Sequence, residues 1–163
     1  MLENDKIKIK LSTVENFPAI IQIEKENSDF VTQYNLERHK KVIEDKNELH
    51  LSIFDKLDNC LVGYIILAGY SSPNSSIEFR RIAISRKGHG FGRGAIQLMK
   101  ELCFKQHQKN RLWLDVFSDN KRAINLYESK GFIKEGLLRD CVMQGDVFKS
   151  FWVMSILSHE FKS

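Results

Sequence analysis

A glycine-rich segment near the middle of the chain places the strongest constraint on its fold. It runs from Ser85 to Gly94 and reads SRKGHGFGRG. A strand-like run, 77–84, leads into it, and an amphipathic run, 95–104, follows it. A glycine turn between a strand and a helix leaves backbone N–H groups uncovered at the helix N-terminus, where the helix dipole also favours anions. The segment therefore predicts a site for the phosphates of a cofactor, with added positive charge from Arg86, Lys87 and Arg93.

Length and composition fit a single soluble domain. The chain has 163 residues, of which 42% are hydrophobic, and this is enough for one buried core. Its longest apolar stretches, such as 61–68, are far too short to span a bilayer. The first residues, MLENDK, lack the pattern of a signal peptide. We therefore expect one domain over 1–163, located in the cytoplasm and making no membrane contact.

Charge and cysteine content argue against two classes of function. The formal net charge is +4, and no basic stripe with interleaved aromatic residues is present, so we expect no nucleic-acid partner. The three cysteines are widely spaced and form no CxxC or Cys/His pattern, so we expect neither a metal site nor a disulfide framework. Cys103 lies in an apolar helical run and is interpreted as a core thiol, whereas Cys141 is expected in a loop.

The hydrophobic periodicity predicts an α+β fold in the order β-α-α-β-β-β-α-β-α-β-β. Alternating or short apolar runs predict strands at 7–11, 49–54, 61–67, 77–84, 112–117, 132–137 and 147–157. Helical spacing predicts helices that contain 17–23, 35–45, 95–104 and 120–130. Hairpins come first and helices alternate with strands only later, so we expect a mixed sheet. His50 and His107 are expected at the surface or at a strand edge.

Three segments of the chain together resemble one known family. They are Ile82 to Ile84, the loop Lys87 to Gly92, and the run Asp119 to Phe132, which contains N-x-x-A-x-x-L-Y-E-x-x-G-F. This combination resembles the GNAT superfamily of acetyl-CoA-dependent N-acetyltransferases, and most of all its ribosomal-protein alanine acetyltransferase-like branch. The family loop is written Q/R-x-x-G-x-G/A, and Lys87 stands at its first position here. The resemblance implies a single-domain GNAT-like α+β fold, with a mixed, mostly antiparallel sheet of about seven strands flanked by about four helices.

The resemblance also implies how acetyl-CoA, the co-substrate, would be held. Backbone groups of Ile82, Ala83 and Ile84 would hydrogen-bond to its pantetheine arm. Asn120, at the end of the next strand, and Tyr127 would also contact the cofactor. The loop residues implied to surround the pyrophosphate are Lys87, Gly88, His89, Gly90, Phe91, Gly92, Arg93 and Gly94. No metal is implied.

Transfer of an acetyl group to an amine requires a base and an acid. The amine must lose a proton before it attacks, and the leaving thiolate benefits from a proton donor. Tyr127 stands at the family position of the acid, although its place on an amphipathic helix is also typical of a core tyrosine. Glu78 is the preferred base, and strand alternation places it on the same face as Arg80 and Ile82; a structural ion pair with a neighbouring arginine is its other interpretation. Asp115, or a base acting through water, remains an alternative.

The expected function is transfer of an acetyl group from acetyl-CoA directly to a primary amine, such as a protein N-terminus, a polyamine or a small amine. The acceptor would lie between 27–34 and 140–148. The acidic residues in these segments that could receive a cationic amine are Asp29, Asp140 and Asp146. The resemblance leaves a homodimer open.

Two alternative functions remain open at this point. A CoA-binding regulatory module that has kept the fold and lost catalysis would carry the same loop. A dinucleotide-binding fold is favoured by GFGRGA at 90–95, which satisfies G-x-G-x-x-G/A, with Asp115 following at roughly the expected distance. The position of this motif past the middle of the chain, and the hairpins before it, oppose that fold.

Overall fold

An eight-stranded sheet runs through the computed structural model, which describes residues 1–162. In chain order the strands are β1 (Leu2–Glu3), β2 (Ile7–Leu11), β3 (Glu48–Asp55), β4 (Leu61–Ala68), β5 (Ser76–Ile84), β6 (Arg111–Phe117), β7 (Ile133–Gln144) and β8 (Val147–Leu157). The helices are α1 (Phe17–Glu26), α2 (Leu36–Glu44), α3 (Phe91–Glu101) and α4 (Lys121–Ser129). The strands lie side by side in the order β1-β2-β3-β4-β5-β6-β8-β7.

The sheet separates two apolar clusters. The larger cluster packs α3 and α4 against one face, with Phe91, Met99 and Ile124 among its members. The smaller cluster packs α1 and α2 against the other face, around Phe17 and Tyr64. β4 contributes to both clusters, because successive side chains of a strand alternate between the two faces. Since helices cover both faces, a binding site is confined to a strand end or to a gap between strands.

Such a gap lies in the middle of the sheet. β5 and β6 pair in parallel, whereas the other neighbouring strands of the described chain pair antiparallel. Their pairing joins 76–78 to 111–113 and then stops, although β5 continues to Ile84 and β6 to Phe117. We call the gap between these diverging ends the fork. Its two edges are strand edges that lack a partner strand.

A β-bulge at Arg80 changes which face of β5 carries each side chain. Two successive residues of β4 pair with Phe79 and Arg81, so Arg80 is the additional residue. The expectation that Glu78, Arg80 and Ile82 share a face is therefore wrong. Ile82 packs with the larger cluster, as Phe79 does, whereas Glu78 and Arg80 hydrogen-bond to each other on the opposite face.

The predicted fold class is confirmed, with four α-helices and a mixed, mostly antiparallel sheet. The sheet has eight strands rather than seven, because two residues near the N-terminus, Leu2–Glu3, pair with β2. Cys141 lies in β7 and not in a loop, and His50 is buried, with 3% of its surface exposed. The dinucleotide-binding alternative is wrong, because that fold requires a mostly parallel sheet.

The helix after the glycine loop begins at Phe91, earlier than its periodicity predicts, and continues into a π-helical turn over Leu102–Gln106. None of the helices within residues 1–162 is long and apolar enough to cross a membrane. The single domain over 1–163 and the cytoplasmic location stay predictions.

Candidate active site

A cavity of about 770 Å³ lies at the fork. The loop before α3, the first part of α4 and the segment after α1 complete its walls. It brings together all predicted site residues except His89 and Gly94, namely Glu78, Ile82, Ala83, Ile84, Lys87, Gly88, Gly90, Phe91, Gly92, Arg93, Asn120 and Tyr127. Residues that are far apart in the sequence therefore share one site.

The glycine loop brings backbone N–H groups to this cavity. Gly90 adopts a left-handed backbone conformation (φ 81°) that residues with a Cβ rarely adopt, and α3 begins directly after it. The N–H of Gly94 already bonds to the carbonyl of Gly90 at 3.0 Å. The N–H groups of Phe91, Gly92 and Arg93 precede that bond and have no carbonyl within the helix to pair with. Three donors at a helix N-terminus fit the pyrophosphate of a CoA-type cofactor.

Lys87, Arg93 and Arg122 supply side-chain charge at this end of the cavity. Among residues 1–162, these three cations enter no ion pair. Arg86, which was also expected to add charge for a phosphate, instead pairs with two aspartates that flank the β3–β4 turn, at 3.0 and 2.7 Å. These carboxylates neutralise its charge, so it anchors the loop. Sequence reasoning misses Arg122, although this residue stands in the family motif.

His89 and Gly94 lie outside the cavity. The His89 ring stacks on the Phe91 ring, with 5.4 Å between the centroids. The backbone carbonyl of His89 accepts a hydrogen bond from Nζ of Lys6. A Cβ on Gly94 would lie 2.6 Å from Nδ2 of Asn4, so this glycine permits close packing of α3 on the N-terminal segment. These contacts support the loop and its helix, and the implied contact of the two residues with the cofactor stays a prediction.

The fork leaves backbone groups of β5 without a strand partner. The N–H of Ser85 bonds to the carbonyl of Val62 at 2.8 Å, which fixes the alternation of the antiparallel ladder between β4 and β5. Ala83 therefore directs its backbone groups towards β4, and Ile82 and Ile84 direct theirs into the fork. An extended amide chain such as pantetheine fits an edge of this kind. Of the three implied residues, Ile82 has both backbone groups to offer and Ile84 has its N–H, because the carbonyl of Ile84 already accepts a hydrogen bond from Asn27.

The segment after α1, residues 27–35, forms one wall of the cavity, and we call it the wall segment. Nδ2 of Asn27 donates to the carbonyl of Ile84 at 3.3 Å and ties this wall to the end of β5. Phe30 packs against Phe117 at 6.4 Å between centroids, and Phe117 packs against Phe151 at 4.6 Å. These rings suit the carbon chain of an acceptor. Sequence reasoning identifies the segment but not Asn27, whose partner is distant in the chain.

Tyr127 borders the cavity from α4, whose N-terminus Asn120 caps by accepting the Ala123 N–H at 3.2 Å. The Tyr127 ring packs between Phe79 and Phe132, as expected of a core residue. Its hydroxyl has no hydrogen-bond partner among residues 1–162, although the residue lines the cavity. Burial raises the pKa of this hydroxyl, so it stays protonated and available as a donor. The core interpretation thus fits the ring, and the role of the hydroxyl as an acid stays a prediction.

Two carboxylates lie on opposite sides of the fork. Glu78 belongs to β5 and Asp115 to β6, and both line the cavity. Burial and the charge of Asp115 raise the pKa of Glu78, and burial raises the pKa of Asp115. Oε2 of Glu78 accepts hydrogen bonds from Arg80, so the ion-pair interpretation also holds. A raised pKa brings a carboxylate closer to the range of a general base at neutral pH.

The aspartates expected to receive a cationic acceptor lie outside the cavity and are exposed: Asp29, Asp140 and Asp146. The hairpin of β7 and β8 instead supports the wall segment, because Nε2 of Gln144 donates to two of its carbonyls at 3.1 and 3.4 Å. Within the described part of the chain, the carboxylates that border the cavity are Glu78 and Asp115. The negative charge at the acceptor end therefore comes from the strands rather than from the loops, and chiefly from Asp115, because Glu78 pairs with Arg80, which also borders the cavity.

The helix N-terminus and the fork thus form one cavity that fits a phosphorylated co-substrate with an extended amide chain. A family model for the acetyltransferase (GNAT) family matches residues 17–132. The chain belongs to this family. Membership confirms the predicted family, the predicted class of enzyme, an acyltransferase, and the predicted co-substrate, acetyl-CoA.

Individual members of the family are also similar to this chain in sequence or in structure. The chain is 32% identical over 103 residues to the spermidine N(1)-acetyltransferase of Vibrio cholerae, a match that spans 63% of this chain and 59% of that protein. It is 23% identical over 176 aligned positions to the probable N-acetyltransferase YjcK of Bacillus subtilis, across 97% of both. A solved structure of spermidine N-acetyltransferase from Vibrio cholerae in complex with CoA and spermine matches with a TM-score of 0.86 at 23% identity, covering 96% of this chain and 98% of that one. This last likeness shows the fold, and the resemblance to the alanine acetyltransferase-like branch stays a prediction.

Proposed function

We propose that this chain transfers an acetyl group from acetyl-CoA to a primary amine of a small cationic acceptor, with polyamines as the preferred class. The observation that carries the proposal is the pair of carboxylates, Glu78 and Asp115, in a cavity whose other end is cationic. The cationic end suits the phosphates of the co-substrate, and the anionic end attracts an ammonium group. The relative named spermidine N(1)-acetyltransferase supports this choice of acceptor.

The cavity walls favour a slender acceptor. A polyamine alternates ammonium groups with short methylene chains. Its methylene groups would lie against Phe30, Phe117 and Phe151, and its charges would face the two carboxylates. A protein N-terminus carries a single charge followed at once by a peptide backbone, which matches this pattern less well.

Two residues divide the proton transfers of the reaction between them. Glu78 takes a proton from the acceptor ammonium, directly or through a water molecule, and passes it to solvent. When bound, acetyl-CoA supplies the thioester, whose carbonyl carbon bonds to the amine nitrogen as the carbon–sulfur bond breaks. Tyr127 donates its proton to the leaving sulfur and regains one from solvent, and the acylated nitrogen releases its second proton to solvent. The products are the acetylated amine, the free CoA thiol and one proton.

The placement of these two residues supports their separate roles. Tyr127 belongs to the cluster on the α3 and α4 face of the sheet, and Glu78 lies on the face of α1 and α2, with the fork between them. An acceptor that enters past the wall segment reaches Glu78 first. A thiol that leaves through the fork passes Tyr127. The acid and the base therefore do not compete for one proton.

Thiol release measured with three acceptors tests the proposal. The acceptors are spermidine, a monoamine of similar chain length, and a short peptide with an N-terminal alanine. We expect kcat/KM for spermidine to exceed that for the monoamine by about tenfold or more, since a second ammonium group adds at least one charge contact. Equal values for all three acceptors would contradict recognition of a second ammonium group and with it the preference for polyamines. Thiol release no faster than spontaneous hydrolysis, with acetyl-CoA still raising the melting temperature, would favour the inactive CoA-binding module.

We also propose that the chain associates with copies of itself along β7. This strand is an edge of the sheet, and a relative's structure is described as dodecameric. Apolar side chains exposed on the β7–β8 hairpin are Ile133, Leu137, Leu138, Met143, Val147 and Phe148. An exposed apolar edge strand is a template for pairing with another chain. Light scattering after size exclusion would give a multiple of 19.0 kDa, and a monomer at all concentrations would contradict the proposal.

A further inference from the structure

The wall segment owes its position to side chains rather than to the sheet. Asn27 lines the cavity, and so do Phe30, Val31 and Thr32, which face the acceptor end. The backbone–backbone hydrogen bonds described for this segment all join residues within four positions of each other along the chain. No strand pairing anchors it within residues 1–162. Contacts from other elements must therefore fix where this wall lies.

A buried ion pair between Glu24 of α1 and Arg81 of β5 provides such contacts. Nη1 of Arg81 lies 3.1 Å from Oε1 of Glu24, and the two side chains are 11% and 0% exposed. The same Nη1 donates to the carbonyl of Thr32 at 2.5 Å. Oε2 of Glu24 accepts the N–H of Tyr34 at 2.9 Å, and the Arg81 guanidinium lies 3.5 Å from the centroid of the Tyr34 ring. Both members of the pair therefore bind the wall segment directly.

The surroundings keep this pair ionised. The hydroxyl of Tyr64 donates to Oε1 of Glu24 at 2.5 Å, and Nε2 of His39 lies 3.4 Å from the same oxygen. Burial alone would raise the pKa of Glu24, but these contacts and the Tyr34 N–H outweigh it and lower the pKa. A buried charge that loses its partner is strongly destabilising. The pair is thus a buried ionic contact that can anchor the wall segment.

We propose that the Glu24–Arg81 pair is a positioning device for the acceptor wall. It holds Phe30 to Thr32 at the distance from the fork that an acceptor requires, and it links this wall to β5, the strand whose other edge faces the co-substrate. Because the two charges cancel, Arg81 borders the cavity without repelling a cationic acceptor. The inference rests on the proposed acetyl transfer to an amine, and it assigns Glu24 and Arg81 to positioning rather than to contact with the reacting atoms.

Glu24→Gln tests this proposal, because it keeps the shape of the side chain and removes its charge. We expect KM for the acceptor to rise about tenfold, while KM for acetyl-CoA stays within about twofold and kcat changes little. Backbone hydrogen exchange should increase over 27–35 and stay unchanged over 82–84. Arg81→Lys keeps the charge and should therefore raise the acceptor KM less than Glu24→Gln does. Glu135→Gln is the matched control, since it breaks an exposed pair with Arg111 that does not border the cavity.

Hydrogen exchange separates a failure of this proposal from a failure of the proposed function. Increased exchange over 27–35 in Glu24→Gln, in a protein that acetylates no amine, would uphold the anchoring and contradict the reaction. Unchanged exchange over 27–35 together with an unchanged acceptor KM would overturn the positioning role. An equal rise in both KM values with a lower melting temperature would overturn it as well, because that is the result of general destabilisation. If Glu24→Gln does not fold, Arg81→Gln, which removes the other charge of the same pair, is measured in its place, with the same results expected and the same results overturning the proposal.

Discussion

The guanidinium of Arg80 donates two hydrogen bonds to Oε2 of Glu78, from Nε at 3.0 Å and from Nη2 at 2.7 Å. Its Nη1 pairs with the buried carboxylate of Glu48, which also contacts Arg38 at 3.2 Å. Glu78 therefore lies between the cation of Arg80 and the carboxylate of Asp115, which raises the Glu78 pKa. The two neighbours act on the proton affinity of Glu78 in opposite directions.

Arg80→Gln and Asp115→Asn should therefore shift the pH dependence of the reaction in opposite directions. Loss of the Arg80 cation destabilises the ionised form of Glu78 and raises its pKa, whereas loss of the Asp115 charge removes a repulsion and lowers it. A base must be ionised to act, so kcat/KM rises with pH through the pKa of Glu78. We expect this rising limb to move to higher pH in Arg80→Gln and to lower pH in Asp115→Asn, as measured from initial rates.

Glu78→Gln provides the reference for these shifts, because it should abolish or flatten the limb that depends on the base. Arg111→Gln is the control, because it removes a cation of β6 that lies outside the cavity. It should leave the rising limb of kcat/KM in place. If Asp115→Asn removes the limb and Glu78→Gln retains it, then Asp115 is the base and the preferred assignment is wrong.

Local sequence signals predict which residues line the glycine-loop end of the cavity. The glycines of the loop meet a requirement of the backbone itself, since Gly88 and Gly90 adopt positive φ angles. Asn120 satisfies a capping preference that acts within three residues. Tyr127 follows from its fixed spacing on the same helix. Each of these signals depends on neighbours in the chain, so a sequence motif can carry it.

Pairing between distant segments decides the features that sequence reasoning misses. The bulge at Arg80 depends on how β4 aligns with β5, and the sequence around Arg80 does not predict it. His50 is buried because His39 and Ser12 offer hydrogen bonds to its two ring nitrogens, and both partners lie on other elements. Glu24 is likewise fully buried within a helix end that its polar sequence marks as exposed. Polar residues of this kind are placed by their partners rather than by their hydropathy.

Gly92→Asp should weaken acetyl-CoA binding by at least about tenfold, because it puts a negative charge beside the phosphates. A Cβ at this position would lie 3.5 Å from Cδ2 of Leu126, an ordinary contact, so Gly92→Ala should fold and bind nearly normally. Gly136→Asp is the matched control, since it adds the same charge in open space on β7. Isothermal titration calorimetry gives the acetyl-CoA dissociation constant of each of the three variants. Equal affinity of folded Gly92→Asp and wild type would contradict the phosphate site.

Tyr127→Phe should lower kcat by about one to three orders of magnitude, the range for loss of one positioned proton donor. The substitution removes only the hydroxyl, so the ring keeps its packing against Phe79 and Phe132, and acetyl-CoA affinity and melting temperature should persist. Tyr70→Phe is the matched control, because Tyr70 packs against His107 outside the cavity. Steady-state rates at saturating acceptor give the comparison. Wild-type turnover in Tyr127→Phe would return Tyr127 to a purely structural role.

Acetyl-CoA should add to the fork as a strand would, because Ile82 and Ile84 direct backbone groups into it. Binding should stabilise the fold by roughly 2.7 kcal/mol at a hundredfold excess over Kd, provided the unfolded chain does not bind. Hydrogen exchange should slow over 82–84 and 116–120, and melting should move to higher temperature. Gly92→Asp serves as the control that should show neither effect at the same concentration. Protection confined to α1 and α2, or melting unmoved by saturating acetyl-CoA, would contradict binding in the fork and with it the assignment of this cavity as the active site.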